Sequence, residues 1–412
     1  MSDARAFGPD QRRRVCVAVL FAIALAVVLM AATADGPDAI SGGLGGDYPS
    51  FHAAGEIARE QPGLDADVFY DPTVQATAQD PYLDGDDDGQ LFFGYPAFFV
   101  VPYMGVSAAG FTAGYVLHTA LMAGALAAAI SLLCPINRIA RDFPLESFTA
   151  AVTFFPLFRG VTGGQNTALT VLLVAAVWRC LEDERDTCAG VAVGLLLFKP
   201  PFAIPFLGVL LMARRWRALG GAVGAAAVLY LLAAAVTDPT WMSAWIDAVQ
   251  FLDEFDTPFN VQNFVSIPGF AEAVFGIDSA TALVVGYGLA MLVAGAVALL
   301  WLRAGSIVQP QVPLDLLVAT TAVAGILVSP HALYYDAGLL ALPAMVLLDR
   351  FPRYRWTIAL GWVGGLMHLG ASTFDADPLV AVVVLAGLVM IRETWIALRV
   401  AEGEGVAAMM HR

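Results

Sequence analysis

The chain has 412 residues, long enough for two or three soluble domains, but 59% of it is hydrophobic and only 14% is charged, which excludes a soluble protein. Acidic side chains outnumber basic ones 36 to 21, and the net charge of −15 disfavours nucleic acid as a partner. An acid-rich chain with one lysine, Lys199, also fits a high-salt habitat, where carboxylates keep a surface hydrated.

Apolar runs of about 17 to 24 residues recur without period-two alternation, so helices and not a β-barrel are expected to cross the bilayer. The first, Val15 to Thr33, follows Arg12, Arg13 and Arg14, which places the N-terminus in the cytoplasm by the positive-inside rule. A cleaved signal peptide is the competing reading, because Ala31-Ala32-Thr33-Ala34 resembles a cleavage site; the apolar run is long for a signal sequence. Further spans are expected near 98–133, 147–162, 166–181, 188–199, 201–213, 218–236, 281–302, 313–330, 332–348, 356–373 and 379–399, twelve in all. The stretch 98–133 is long enough for two short helices, but a single crossing keeps Arg138 and Arg141 in the cytoplasm. With that count 18 of 21 basic residues are cytoplasmic, and only Arg59, Arg159 and Lys199 lie outside. The expected fold is therefore a single all-α integral membrane domain, residues 1–412, with both termini cytoplasmic.

Two extracytoplasmic segments, 34–91 and 237–280, are too long for simple turns and mix aromatic residues with carboxylates, as functional loops do. The first reads as a glycine-rich chain, an amphipathic helix from Tyr48 to Glu60, a second short helix after Asp71-Pro72, and an acidic tip. That tip, Asp86-Asp87-Asp88, superficially resembles a calcium loop but lacks the twelfth-position Glu of an EF-hand, so a solvated loop is expected. Cys16, Cys134, Cys180 and Cys188 lie in or beside spans or cytoplasmic turns, and indicate neither a disulfide framework nor a cysteine zinc site.

Charged and amide groups at membrane level are costly and therefore mark candidate sites. Asp47 follows the run Gly42 to Gly46 at the start of the Tyr48 helix, where it can cap the helix or act as a general base. Lys199, in Phe198-Lys199-Pro200-Pro201, separates two short apolar stretches; it either snorkels to the interface or meets a phosphate as a point charge. Gln165 and Asn166 follow Gly163-Gly164, and with Gln262 and Asn263 offer paired amides on one face, suited to sugar hydroxyls. His331 follows Ser329-Pro330 and precedes Tyr334, Tyr335 and Asp336; the nearby carboxylate is a candidate to set the imidazole's protonation. Arg159 is a further outward cation. The aromatic run Phe92 to Phe99 suits an interfacial belt.

Taken in order, Gly46-Asp47-Tyr48, Tyr95-Pro96-x-Phe98, Gly164-Gln165-Asn166, Lys199-Pro200 and Ser329-Pro330-His331 with Tyr335-Asp336 resemble the polyprenol-phosphate-mannose-dependent α-1,2-mannosyltransferases, glycosyltransferase family 87 of the GT-C superfamily. The resemblance runs over roughly residues 12 to 350, and departs from the family's frequent Tyr-Pro-Pro element at Ala97. It implies a GT-C-like fold and transfer of a hexose, mannose in this family, from a lipid phosphate to a glycolipid or glycan acceptor at the outer face. It further implies Asp47 as base in an inverting single displacement, and Lys199, with Arg159 or His331, at the donor phosphate. Tyr48, Gln165, Asn166, Asn263, Tyr335 and Asp336 would contact sugar or acceptor. No cofactor or metal ligand is implied, and membrane lipid is the remaining partner. A secondary transporter shares the helix count and the broken helical pair, and a surface-polymer assembly protein is a third reading; neither accounts for polar residues gathered at one face.

Overall fold

A computed structural model describes residues 8–33, 46–83, 91–305 and 312–410. The acidic tip, most of the glycine run before Asp47 and Ala34 lie outside these residues. Every named element among them is an α-helix or a 3-10 turn, with one isolated bridge between Phe264 and Leu333.

Helix α1 (Pro9–Thr33) has 25 residues, about 37 Å at 1.5 Å per residue, which exceeds a hydrocarbon layer of about 30 Å. Its exposed Val17, Phe21 and Val28 suit contact with lipid. The first loop folds as α2 (Tyr48–Glu60), α3 (Ala66–Phe69) and α4 (Pro72–Gln79). Asp65 and Asp71 cap α3 and α4, and the Gln75 side chain accepts the Phe93 backbone N–H at 2.6 Å. The loop is thereby tied to the chain entering α5 (Val101–Ser107) and α6 (Phe111–Leu133). Gly110, at φ +81°, breaks the stretch expected as one span, and of the two helices only α6 is long enough to cross.

Next come α7 (Arg138–Asp142), α8 (Pro144–Thr153), α9 (Phe155–Thr162) and α10 (Thr167–Glu182), the last two meeting at 114°. Helices α11 (Asp186–Leu195) and α12 (Pro200–Met212) meet at Lys199, whose following prolines occupy the first turn of α12, where a missing N–H costs nothing. Helix α13 (Trp216–Val236) leads to the second loop, α14 (Trp241–Asn260) and α15 (Ile267–Phe275). The chain ends with α16 (Ala280–Ala304), α17 (Leu314–Val328), a 3-10 stretch Tyr334–Leu340, α18 (Ala341–Arg350), α19 (Arg355–Gly364), a 3-10 stretch Gly365–Gly370, α20 (Ala371–Phe374) and α21 (Val380–Met410).

Among the described residues five helices, α1, α6, α13, α16 and α21, are long and apolar enough to cross a membrane, six if α9 and α10 form one broken span. The runs near 147–162, 332–348 and 356–373 are each divided by a proline or a 3-10 stretch, so the twelve apolar runs are not twelve unbroken helices. The protein is an all-helical, multi-pass membrane protein. Cys180 and Cys188 form one local disulfide across the turn from α10 to α11, with Cα atoms 5.8 Å apart, where the sequence indicated none; Cys16 and Cys134 are free. A turn of three residues between antiparallel helices is enough to bring residues eight apart together.

Arginine–carboxylate pairs gather at one end of the helices. They join Arg138 to Asp349 at 2.6 Å, Arg215 to Asp186 at 2.6 Å and Arg353 to Glu393 at 2.7 Å, with Arg350 bonded to Asp315. Asp47, the α9–α10 bend, Lys199 and Tyr334 lie at the opposite ends of the same helices.

Candidate active site

Asp47 is held by its backbone. Its N–H donates to the Gly163 carbonyl at 3.1 Å, and Gly46 sits at φ +46° so close to Gly163 that an added Cβ would lie 2.5 Å from the same carbonyl oxygen. A side chain at residue 46 is thus excluded twice, by the left-handed backbone and by the contact. This fixes the loop onto the turn where α9 breaks into α10. Asp47 stands at the capping position of α2 but makes no side-chain cap bond, and its carboxylate remains uncommitted to the helix. Burial raises its pKa to about 7 and Asp256 pushes the same way, against the opposing pull of Lys199 and Arg159. Asp336 adds a smaller upward push.

Those four neighbours come from four distant elements. Lys199 Nζ bonds the Asp336 carboxylate at 2.7 Å, both side chains nearly excluded from solvent at 11% and 6% exposure, and the ammonium lies 5.2 Å from the Tyr335 ring centre. It neither points freely outward nor snorkels alone. Asp336 therefore serves Lys199 and not His331, as the sequence had suggested; the 3-10 backbone from Tyr334 turns the carboxylate inward. His331 pairs instead with Asp253 of α14 at 2.8 Å. Burial lowers its pKa while Asp253 and Asp256 pull it back up. Arg159, half-buried on α9, hydrogen-bonds the Tyr334 hydroxyl.

The amides fall into two groups. Gln165, 3% exposed, accepts from the Tyr95 hydroxyl at 3.5 Å. Asn166 is wholly buried beside the Tyr95 hydroxyl, does not cap α10, and makes no hydrogen bond of good geometry among the described residues. An uncompensated buried amide costs about 1–3 kcal/mol, a cost that a ligand can recover. Asn263 donates to Asn260 at 3.0 Å, and Asn260 donates to Asp256 at 2.7 Å, so this amide chain ends beside Asp47. Residues 264–266 run along the His331 segment, with Val265 N–H bonded to the Ala332 carbonyl at 2.8 Å. The second loop is thereby locked to the site.

Tyr48 is not at the site. It is fully buried among Phe111, Tyr115 and His118, and its hydroxyl lies 3.2 Å from His52 Nδ1. Successive helical residues point about 100° apart, so the neighbour of a site residue turns into the core. Asp253, Asp256 and Asn260 were not singled out from the sequence; their acidic, amphipathic helix in a long loop was the available signal. No group of three His, Cys, Asp or Glu suited to a metal occurs among the described residues.

A buried carboxylate in the field of two cations thus lies at one end of the helix bundle. The chain belongs to glycosyltransferase family 87, whose sequence model matches residues 92–330. Neither the curated proteins nor the solved structures contain a match. The protein is a membrane glycosyltransferase. The matched region holds Arg159, Gln165, Asn166, Lys199 and Asn263; Asp47 and the segment from His331 lie outside it.

Proposed function

We propose that the protein transfers a hexose, mannose by its resemblance, from a polyprenyl phosphate to a glycolipid or glycan hydroxyl at the extracytoplasmic face. The acceptor oxygen attacks the anomeric carbon as the bond from that carbon to the phosphate oxygen breaks, with inversion. Asp47 takes the acceptor proton, and the polyprenyl phosphate leaves. A carboxylate with a pKa near 7 is well matched to this task at neutral pH.

Arg159 and Lys199 stabilise the departing phosphate, and Asp336 and Tyr335 hold the ammonium in place. Gln165 and Asn166 orient sugar or phosphate oxygens. His331 is assigned to the acceptor side with Asn263, because Asp253 and Asp256 beside it repel a phosphate. The reading is carried by one observation, an uncapped carboxylate in the field of both Lys199 and Arg159. The lipid donor and the outer face are supported by the distribution of arginines, which leaves the site at the end opposite the basic turns.

The test supplies purified protein in proteoliposomes with labelled hexoses on polyprenyl phosphate or on a nucleotide. Transfer from the lipid alone is expected, strongest with mannose. Transfer from the nucleotide sugar alone would overturn the donor assignment.

A further inference from the structure

A second charged cluster packs against Tyr334. His368, in the 3-10 stretch Gly365–Gly370, stacks on the Tyr334 ring at 3.5 Å between centroids and 11° between planes. Its Nδ1 lies 2.7 Å from Asp377, which is fully buried; the other Asp377 oxygen accepts the Leu379 N–H at 2.9 Å. Both carboxylate oxygens are thus engaged, and the imidazole is fixed in plane. His368 Nε2 has no partner among the described residues, and the side chain keeps 15% exposure. Arg159 bonds the hydroxyl of the same tyrosine.

An apolar cavity of about 630 Å³ is lined in part by Phe154 and Met367, the chain neighbours of Phe155 and His368. It runs between α8, α18, α19 and α21, from Phe143 and Glu146 to Phe154, Leu340, Gly364 and Met367. Met367 is the chain neighbour of His368, and Phe155, next to Phe154, packs on the His368 ring at 6.0 Å. The cavity extends about 12 Å along α8, by the helical rise from Glu146 to Phe154. Its apolar walls suit several isoprene units.

We propose that His368, oriented by Asp377, binds the phosphate of a polyprenyl phosphate whose chain occupies this cavity. The assignment rests on the lipid donor proposed above and adds the residue that receives its head group. With Nδ1 donating to Asp377, the imidazolium form directs its second N–H at the phosphate, a charge-assisted bond. His368 then contacts the leaving group and takes no proton from the acceptor. The phosphate sits on the Arg159 side of Asp47, and the acceptor enters on the Asp256 side.

The experiment measures binding of a short polyprenyl monophosphate and of the matching polyprenol to full-length protein in nanodiscs, together with the KM for the labelled donor. His368→Phe keeps the stack on Tyr334 but leaves the buried Asp377 carboxylate without its partner, so thermal stability should fall while polyprenol affinity holds, and adding Asp377→Asn should return stability without returning monophosphate affinity. The Kd of His368→Phe for the monophosphate and its KM for the donor should rise about 10- to 100-fold. His368→Gln, which restores an N–H donor, should recover part of the loss, and Asp377→Asn should show the same direction more weakly. Unchanged monophosphate affinity in His368→Phe, or equal losses for polyprenol and monophosphate, would overturn the assignment alone. A wild-type protein that does not prefer the monophosphate to the polyprenol would overturn the lipid donor as well.

Discussion

Removing the Asp47 charge should make the protein more stable and almost inactive, and the two effects share one cause. The carboxyl pKa rises from 3.8 to about 7 in the folded protein, so the folded state holds a proton that the unfolded state releases between those values. Stability therefore falls as pH rises from about 4 through 7. The whole shift corresponds to about 4 kcal/mol at 1.36 kcal/mol per pKa unit, and because the side chain keeps some contact with solvent we expect about 1–2 kcal/mol to be realised. Asp47→Asn should match the wild type in thermal unfolding near pH 4 and exceed it by that amount at pH 8. Transfer should move oppositely. About 1% of Asp47 is ionised at pH 5 and about 10% at pH 6, so kcat/KM should climb nearly tenfold per pH unit and flatten above about pH 8. Asp47→Asn should lose about 10²- to 10⁴-fold in kcat, the usual worth of a general base. Asp256→Asn should move the rising limb to lower pH, and Arg159→Gln to higher pH, since the first group raises and the second lowers the Asp47 pKa. The assay is labelled-hexose transfer in proteoliposomes from pH 5 to 9. A flat profile, together with full activity in Asp47→Asn, would refute the reasoning.

Lys199→Ala leaves Asp336 buried without its cation and should cost about 3–5 kcal/mol in thermal unfolding. Adding Asp336→Asn should restore most of that stability but not the transfer rate, a separation a double-mutant cycle reads directly. Gly46→Ala should displace Asp47 from Gly163 and lower kcat about 100-fold with little change in donor KM, since positioning and not binding is lost. Asn166→Ala should leave stability nearly unchanged while raising KM, because the amide it removes makes no hydrogen bond of good geometry among the described residues.

Much of the architecture was legible from apolar run length, because a bilayer sets the number of residues a crossing needs. The divisions inside those runs were not, since a proline such as Pro156 or a 3-10 stretch such as Tyr334–Leu340 leaves hydrophobicity unchanged while turning the chain. Asp47, Lys199 and Arg159 stood out by being charged where charge is expensive. Their partners did not, because pairing is a matter of tertiary distance. Asp336 was expected to serve His331, five residues away, and instead bonds Lys199, 137 residues away. Asp253 and Asp256 have the pattern of ordinary loop acids, and Asp377 is one of two acids just after Phe374. Tyr48, which the resemblance implied as a sugar or acceptor contact, is instead packed among Phe111, Tyr115 and His118.

The near-complete enclosure of the Lys199–Asp336 couple bears on the surroundings in which the enzyme can work. In molar salt the screening length shrinks to about 3 Å, so ion contacts bathed in solvent, such as Arg141 with Asp142, fade. A couple walled in by Tyr335 and Phe202 admits few mobile ions and keeps its strength from dilute medium to brine. Brine tolerance of the chemistry would then be decided by this shelter, independently of how acidic the exterior has become.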